Sequence, residues 1–190
     1  MLEFIASVLT GVAVWLAVKR NILSFPTGIL GVLLSVFVLF DGKLYGDAGL
    51  QLFFGVMQIH GWWAWSRGQK LTDERIAVRR LSQKNWLLAA GSALVGTALL
   101  GWFLDEKTDS PLPYIDSFTT ATSVVAQVLM NLRFFENWWL WLLVNVIYVP
   151  MLWSRGLVSM SVLYAVLLVM AWFGMLEWRK KLAAPTPTDH

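Results

Sequence analysis

Cysteine is absent from the 190 residues, which excludes disulfides and thiolate metal sites. Charge is scarce: Asp, Glu, Lys and Arg make up 14% of the chain, against roughly a quarter in an average soluble domain. Histidine occurs twice. No carboxylate falls in the middle of an apolar run, because Glu3, Asp41, Asp47, Asp105, Asp116, Glu136 and Glu177 all lie at or near run ends. That leaves none of the carboxylate or histidine relays that proton-coupled transport uses. A lone mid-run histidine, His60, reads as a hydrogen-bonded structural residue. No GxxxxGK[ST] loop is present, so ATP is not the energy source within the chain. Neither an H-E-x-x-H motif nor paired carboxylates suggest a hydrolase, so no enzyme, metal or cofactor is expected. The net charge of +3 is too small to suggest nucleic acid as a partner.

What the chain has in excess is apolar length. Hydrophobic residues reach 57%, and runs of helical length recur from end to end between brief charged loops. About 20 apolar residues span the hydrocarbon core of a bilayer, and helices are the spanning form that satisfies its own backbone. The pattern predicts an all-α integral membrane protein with seven helices at about 3–18, 22–40, 44–66, 85–104, 115–132, 137–153 and 157–178. The first segment lacks a basic leader and a small-residue cleavage site, and reads as a retained helix. The polar, proline-containing tail AAPTPTDH reads as disordered.

Loop charge fixes an orientation. With seven spans, one set of loops holds Lys19, Arg20, Arg67, Lys70, Arg75, Arg79, Arg80, Lys84, Arg133, Arg179, Lys180 and Lys181, twelve basic residues in all. The other set holds three, Lys43, Lys107 and Arg155. The positive-inside rule then places the C-terminus in the cytoplasm and the N-terminus outside.

Helices 1–3 and 5–7 share a layout with an offset of about 113 residues. In each triplet a short basic turn joins the first two helices, LAVKRN and MNLRFF, and the third ends in a Gly and a Trp, Gly61 to Trp65 and Gly174 to Trp178. Two triplets of the same orientation need one extra crossing between them, and the bland fourth helix supplies it. The expected organisation is a three-helix bundle at 1–66, a basic cytoplasmic loop at 67–84, a linker helix at 85–104 and an external loop at 105–114. A second bundle at 115–178 and a cytoplasmic tail at 179–190 complete it. Parallel repeats of this kind occur among transporters.

Helical spacing collects the polar residues on faces. Helix 3 aligns Gln51, Gln58, Trp62 and Trp65; helix 5 aligns Thr120, Ser123, Gln127 and Asn131; helix 6 aligns Trp138, Trp141, Asn145 and Tyr148. Single amides often do no more than glue helices together, at about 1 kcal/mol each. Three stripes mixing amides with aromatics favour a shared cavity. Interface anchoring is the rival for Trp62, Trp63, Trp65 and Trp178 near helix ends. In helix 2, Ser24, Gly28, Gly31 and Ser35 are small and read as packing residues. The candidate lining is Gln51, Gln58, Trp62, Gln127, Asn131, Trp138, Trp141, Asn145 and Tyr148. Trp faces bind flat rings, cationic ones better, and amides bond polar substituents. A phosphate would call for Arg or Lys, and none lies mid-span.

Two stretches carry a family resemblance. LYGDAGLQLFFGVMQIHGWWAW resembles the third helix of the PnuC family of vitamin transporters. The stretch from Asp116 to Tyr164 resembles that family's fifth to seventh helices, notably at Asp116, Ser117, Arg133, Glu136, Asn137, Trp138, Trp141 and Asn145. The resemblance implies a SWEET-like 3+1+3 fold in a bacterial inner membrane. It implies facilitated diffusion of nicotinamide riboside or, in some branches, thiamine, riboflavin or deoxynucleosides, with trapping by a cytoplasmic kinase. It also implies that a homotrimer can form.

The sequence reading is thus an alternating-access uniporter for an unphosphorylated vitamin, nicotinamide riboside first and thiamine second, with a midplane site between the triplets. Arg133 and Glu136 are assigned to structure or gating, as an ion pair. The rivals are an H⁺- or Na⁺-coupled secondary transporter, which lacks its mid-span carboxylate, a membrane enzyme using His60 as base, and a non-transporting scaffold subunit.

Overall fold

The computed structural model describes residues 2–41, 45–69, 78–108, 111–154, 156 and 158–182. Lys43, Lys70, Arg75, Arg155, positions 109–110 and the tail from 183 onward, on which the charge and disorder readings partly rest, lie outside the described residues. Seven α-helices follow in order: α1 (Leu2–Val18), α2 (Ser24–Asp41), α3 (Tyr45–Gln69), α4 (Gln83–Lys107), α5 (Pro113–Asn131), α6 (Asn137–Ser154) and α7 (Val158–Leu182).

Helix ends have local causes. α4 begins two residues earlier than the apolar run suggests, because the Ser82 side chain accepts the N–H of Asn85 and caps it. α7 runs four residues past Trp178, through Arg179, Lys180 and Lys181, whose charges complement the negative end of a helix dipole. α2 starts at Ser24 rather than 22, and its Pro26 falls in the first turn, where no intrahelical N–H is lost. Pro150 lies inside α6 near its end, and the neighbouring carbonyl of Val149 accepts the Ser161 hydroxyl of α7 at 2.9 Å.

The turns that close α1 and α5 are alike. Arg20 (φ 56°) and Arg133 (φ 65°), 113 positions apart, adopt the left-handed conformation. Arg20 N–H donates to Ala17 O and Asn21 N–H to Leu16 O; Arg133 N–H donates to Met130 O and Phe134 N–H to Leu129 O, each at 2.9 Å. Both are Schellman caps, with arginine where glycine is usual. The second turn receives a strap from the chain before α4. Arg79 N–H donates to Arg133 O and accepts Phe135 N–H on its own carbonyl, both at 2.9 Å. Arg79 also lies over the Phe134 ring. The buried Glu136 carboxylate accepts the N–H of Leu81 at 3.1 Å. The expected Arg133–Glu136 ion pair does not form: the carboxylate is taken up by the half-buried backbone N–H of Leu81. Burial first, and then the Arg79 guanidinium, push the Arg133 pKa below its usual value.

Helix α2 packs on both α1 and α3, and α6 on both α5 and α7; the triplets meet along α1–α7 and α3–α5. Among the described residues α4 packs on α5 alone of the helices. The exterior is apolar. On α4, Leu87, Leu88, Leu94, Val95, Leu99 and Trp102 are exposed, and Phe37, Val56, Val146 and Val169 are exposed on other helices. α4 and the Met160–Leu182 part of α7 are long and apolar enough to cross a bilayer by length and composition. Large exposed apolar patches mark surfaces that meet a membrane or another protein.

Candidate functional site: an uncharged cavity between two helix triplets

The packed core gathers at the end of the molecule that holds the Arg20 and Arg133 turns. There Phe25 meets Trp65 edge-on with centroids 4.9 Å apart, and Trp138 meets Trp178 edge-on at 5.5 Å. Trp65 and Trp178 approach each other at 6.2 Å. Two glycines make this packing possible. A Cβ on Gly61 would strike the Phe25 ring and lie 2.6 Å from Asn131 Oδ1. One on Gly174 would lie 2.5 Å from the Trp138 ring.

Above this aromatic floor lies a cavity of about 260 Å³, near the lower end of small-molecule sites at about 300–1,000 Å³. Every helix but α4 contributes to its wall, and among the described residues no Lys, Arg, Asp, Glu or His lines it. The wall is built from pairs 113 positions apart: Thr10 with Ser123, Val14 with Gln127, Ala17 with Met130, Phe25 with Trp138, and Gly28 with Trp141. Val32 pairs likewise with Asn145, Gln51 with Tyr164, Phe54 with Leu167, and Gln58 with Ala171. Position is shared across each pair but chemistry is not. Gly28 stands where its counterpart is Trp141, and the space it leaves is taken by Gln58: a Cβ on Gly28 would lie 2.5 Å from Gln58 Nε2. The two halves of the wall thus differ.

Seven of the nine residues expected at the site line this cavity: Gln51, Gln58, Gln127, Trp138, Trp141, Asn145 and Tyr148. Asn131 does not line it. Fully buried behind Gln127, it accepts Gln127 Nε2 on Oδ1 at 2.9 Å and donates from Nδ2 to Met57 O of α3 at 2.7 Å. It ties α5 to α3 and holds the Gln127 amide in place. Trp62 is 42% exposed on the outside of α3, whereas Trp65 is fully buried. The two differ by about 60° around a helix of 3.6 residues per turn, and the inward face runs through Gln58, Gly61 and Trp65. His60 is likewise exposed, so a catalytic role in the cavity has no geometric basis.

The sequence reading missed Tyr164, whose ring lies 4.7 Å from that of Tyr148. It also assigned Ser24 and Gly28 to packing, yet both line the cavity, while Gly31 does pack against Leu9 and Thr10 of α1. The 113-residue offset was the available signal: applied to Gln51 it lands on Tyr164, and from Trp141 it leads back to Gly28.

Several wall groups spend one polar atom on the protein and keep another. Asn145 Nδ2 donates to Trp141 O at 2.7 Å, which leaves its carbonyl oxygen, and Ser123 donates to Thr119 O at 2.7 Å. Such a wall can stack a planar ring on Trp or Tyr and bond neutral polar substituents. It offers no countercharge to an anion.

Known proteins share this sequence and fold. The family profile described as nicotinamide mononucleotide transporter matches residues 1–180. The nicotinamide riboside transporter PnuC of Neisseria mucosa is 32% identical over 175 residues, covering 85% of this chain but only 65% of the relative, so the chain spans under two thirds of that protein's length. PnuC of Escherichia coli is 26% identical over 201 residues, covering 93% and 84%. The riboflavin/roseoflavin transporter RibM of Streptomyces davaonensis is 27% identical over 180 residues, covering 93% and 83%. The crystal structure of the vitamin B3 transporter PnuC superimposes with a TM-score of 0.78 at 29% identity, over 95% of this chain and 81% of that one. With a profile match from residue 1 to residue 180, the chain belongs to the nicotinamide mononucleotide transporter family, the family of the PnuC membrane vitamin transporters.

Proposed function

We propose that this protein is a uniporter that carries an unphosphorylated vitamin, nicotinamide riboside first, across the bacterial inner membrane by alternating access. The observation that carries this reading is the uncharged cavity of aromatics and amides shared by both triplets. The family profile is described by a mononucleotide and most relatives by a riboside. The wall favours the riboside, because a phosphate would lose its water without gaining an Arg or Lys partner. The solute's flat cationic pyridinium suits the rings of Trp138, Trp141 and Tyr148. Its hydroxyls and carboxamide suit Gln51, Gln58, Gln127 and Asn145, with Asn131 holding Gln127 in place.

In this reading α1–α3 and α5–α7 are parallel repeats, and α4 is the linker that restores orientation. The apolar exterior faces lipid, the basic turns lie in the cytoplasm with the C-terminus, and the N-terminus lies outside. The protein assembles as a homotrimer. Energy coupling is external: a cytoplasmic kinase phosphorylates the solute, and the product no longer fits the cavity. Thiamine, with its cationic thiazolium, is the alternative solute on the same argument, and the relative RibM adds riboflavin.

Uptake into proteoliposomes holding purified protein tests the reading. Radiolabelled nicotinamide riboside should equilibrate with all ion gradients collapsed, and unlabelled nicotinamide riboside inside should accelerate its entry by exchange. Uptake that stops when the proton or sodium gradient is dissipated would make the protein a coupled transporter instead.

A further inference from the structure

We propose that Trp65 and Trp178 are the paired gate residues of this transporter, a role that rests on the transport reading and adds to it the parts that open and close. Each Trp lies four residues before the end of the third helix of its triplet and reaches across to the first helix of the other. Trp65 Nε1 donates to Asn131 O at the end of α5 at 3.1 Å, and Trp178 Nε1 donates to Ala17 O near the end of α1 at 3.3 Å. The two clasps lie 113 positions apart in donor, and their acceptors match to within one residue. They bridge the two contacts that join the triplets, α3–α5 and α1–α7. Both indoles are fully buried, and the core cluster they anchor shares Ala17, Phe25, Met130, Trp138 and Ala171 with the cavity wall. The clasps therefore lie directly beneath the cavity and close it toward the Arg20 and Arg133 turns.

A gate must also be able to open, and this one is lightly held. Its cross-links are neutral hydrogen bonds, worth about 0.5–1.5 kcal/mol each. Beside them, Ser24 Oγ, Asn137 Oδ1, Trp138 Nε1 and Trp141 Nε1 are buried without a partner among the described residues. These four lie in the first two turns of α2 and α6, and Ser24 and Asn137 stand at matching places in the two triplets. Of the four, Ser24, Trp138 and Trp141 line the cavity, so water or solute has polar atoms to meet as the neutral clasps part. Gly61 and Gly174 are the sockets into which Phe25 and Trp138 settle on closing.

The absence of cysteine permits a direct test. A single reporter, Ser123→Cys, is placed in the cavity wall, and its labelling by a membrane-impermeant thiol reagent is timed in inside-out and right-side-out vesicles. Trp65→Phe and Trp178→Phe keep the ring and remove the donor. Each should speed labelling from the face carrying Arg20 and Arg133 by about three- to tenfold, the equivalent of one lost hydrogen bond, and slow it from the opposite face. Gly174→Ala, which crowds the socket without touching either clasp, should shift the two rates in the same directions. Unchanged rates in the Phe variants, or a rise from both faces as in general loosening, would overturn the proposal. The reading is independent of solute, so a protein that fails to bind nicotinamide riboside but shows the paired shift would refute the substrate and keep the gate.

Discussion

Trp138 and Trp141 sit one turn apart on α6 and contribute to the site in different ways. Trp138 is 1% exposed, fills the space over Gly174 and packs edge-on against Trp178. Trp141 is only partly buried and presents its ring from the wall. Trp141→Ala should therefore weaken nicotinamide riboside binding by about 1–3 kcal/mol, on the scale of base–aromatic stacking, with little loss of thermal stability. Trp138→Ala should weaken binding to a similar degree and also cost about 3–5 kcal/mol of stability, the usual range for a buried aromatic truncation. Calorimetric titration together with a melting curve separates the two, and equal stabilities would mean that Trp138 is not part of the floor. Because no His, Asp, Glu, Lys or Arg among the described residues lines the cavity, binding should be flat between about pH 5 and 8, where histidine is the side chain that ordinarily changes charge. A titration curve within that window would point to a charged group acting on the site.

Each element's inward face was legible where its polar residues outnumbered its ambiguous ones. On α5 and α6 the stripes of Ser123 and Gln127, and of Trp138, Trp141, Asn145 and Tyr148, turn as a block toward the cavity. On α3 both Trp62 and Trp65 stand at helical spacing from Gln58, and the sequence reading chose Trp62, which is exposed; the inward face runs instead through Gly61, the socket, and the buried Trp65. Asn131 shares the α5 stripe of Gln127, but its amide is spent on Gln127 and on Met57 O, and it serves as a bracket instead. Asn131→Ala would leave the Gln127 amide without its acceptor and should lower stability by about 1–3 kcal/mol, read as a fall in melting temperature; an unchanged melt would show that the bracket is idle. The left-handed turn at Arg133 was invisible because arginine gives no hint of a positive φ. Glycine adopts that conformation without strain, and the burial and Arg79 field that disfavour the Arg133 charge would also be relieved. Arg133→Gly should raise stability by up to about 1 kcal/mol, and a lower melting temperature would mean that the guanidinium holds the turn through a contact of its own.

At the scale of the whole molecule, seven helices and a common cavity follow from apolar periodicity and from one offset. Apolar length located the helices, and the recurrence of a basic turn and a Gly–Trp ending located the offset. What periodicity could not supply was α7, which is apolar around its circumference and gives no stripe from which to pick out Tyr164. Nor could it supply the cross-triplet clasps, because a hydrogen bond from an indole to a backbone carbonyl leaves no mark in the acceptor's sequence. The exterior is as informative as the cavity. Leu87, Leu94, Leu99 and Trp102 cover α4 with apolar surface, which suits lipid and leaves the interior wall as the place where polar groups concentrate. The account therefore stands on one proposed property of the assembled chain, that its cavity takes a ring with neutral substituents and refuses a phosphate. Isothermal titration of the purified protein with nicotinamide riboside and with nicotinamide mononucleotide compares two solutes that differ in the phosphate alone. Saturable binding of the riboside, with the mononucleotide at least about a hundredfold weaker, is the result the uncharged wall predicts; a mononucleotide that binds as tightly as the riboside, or more tightly, would contradict it.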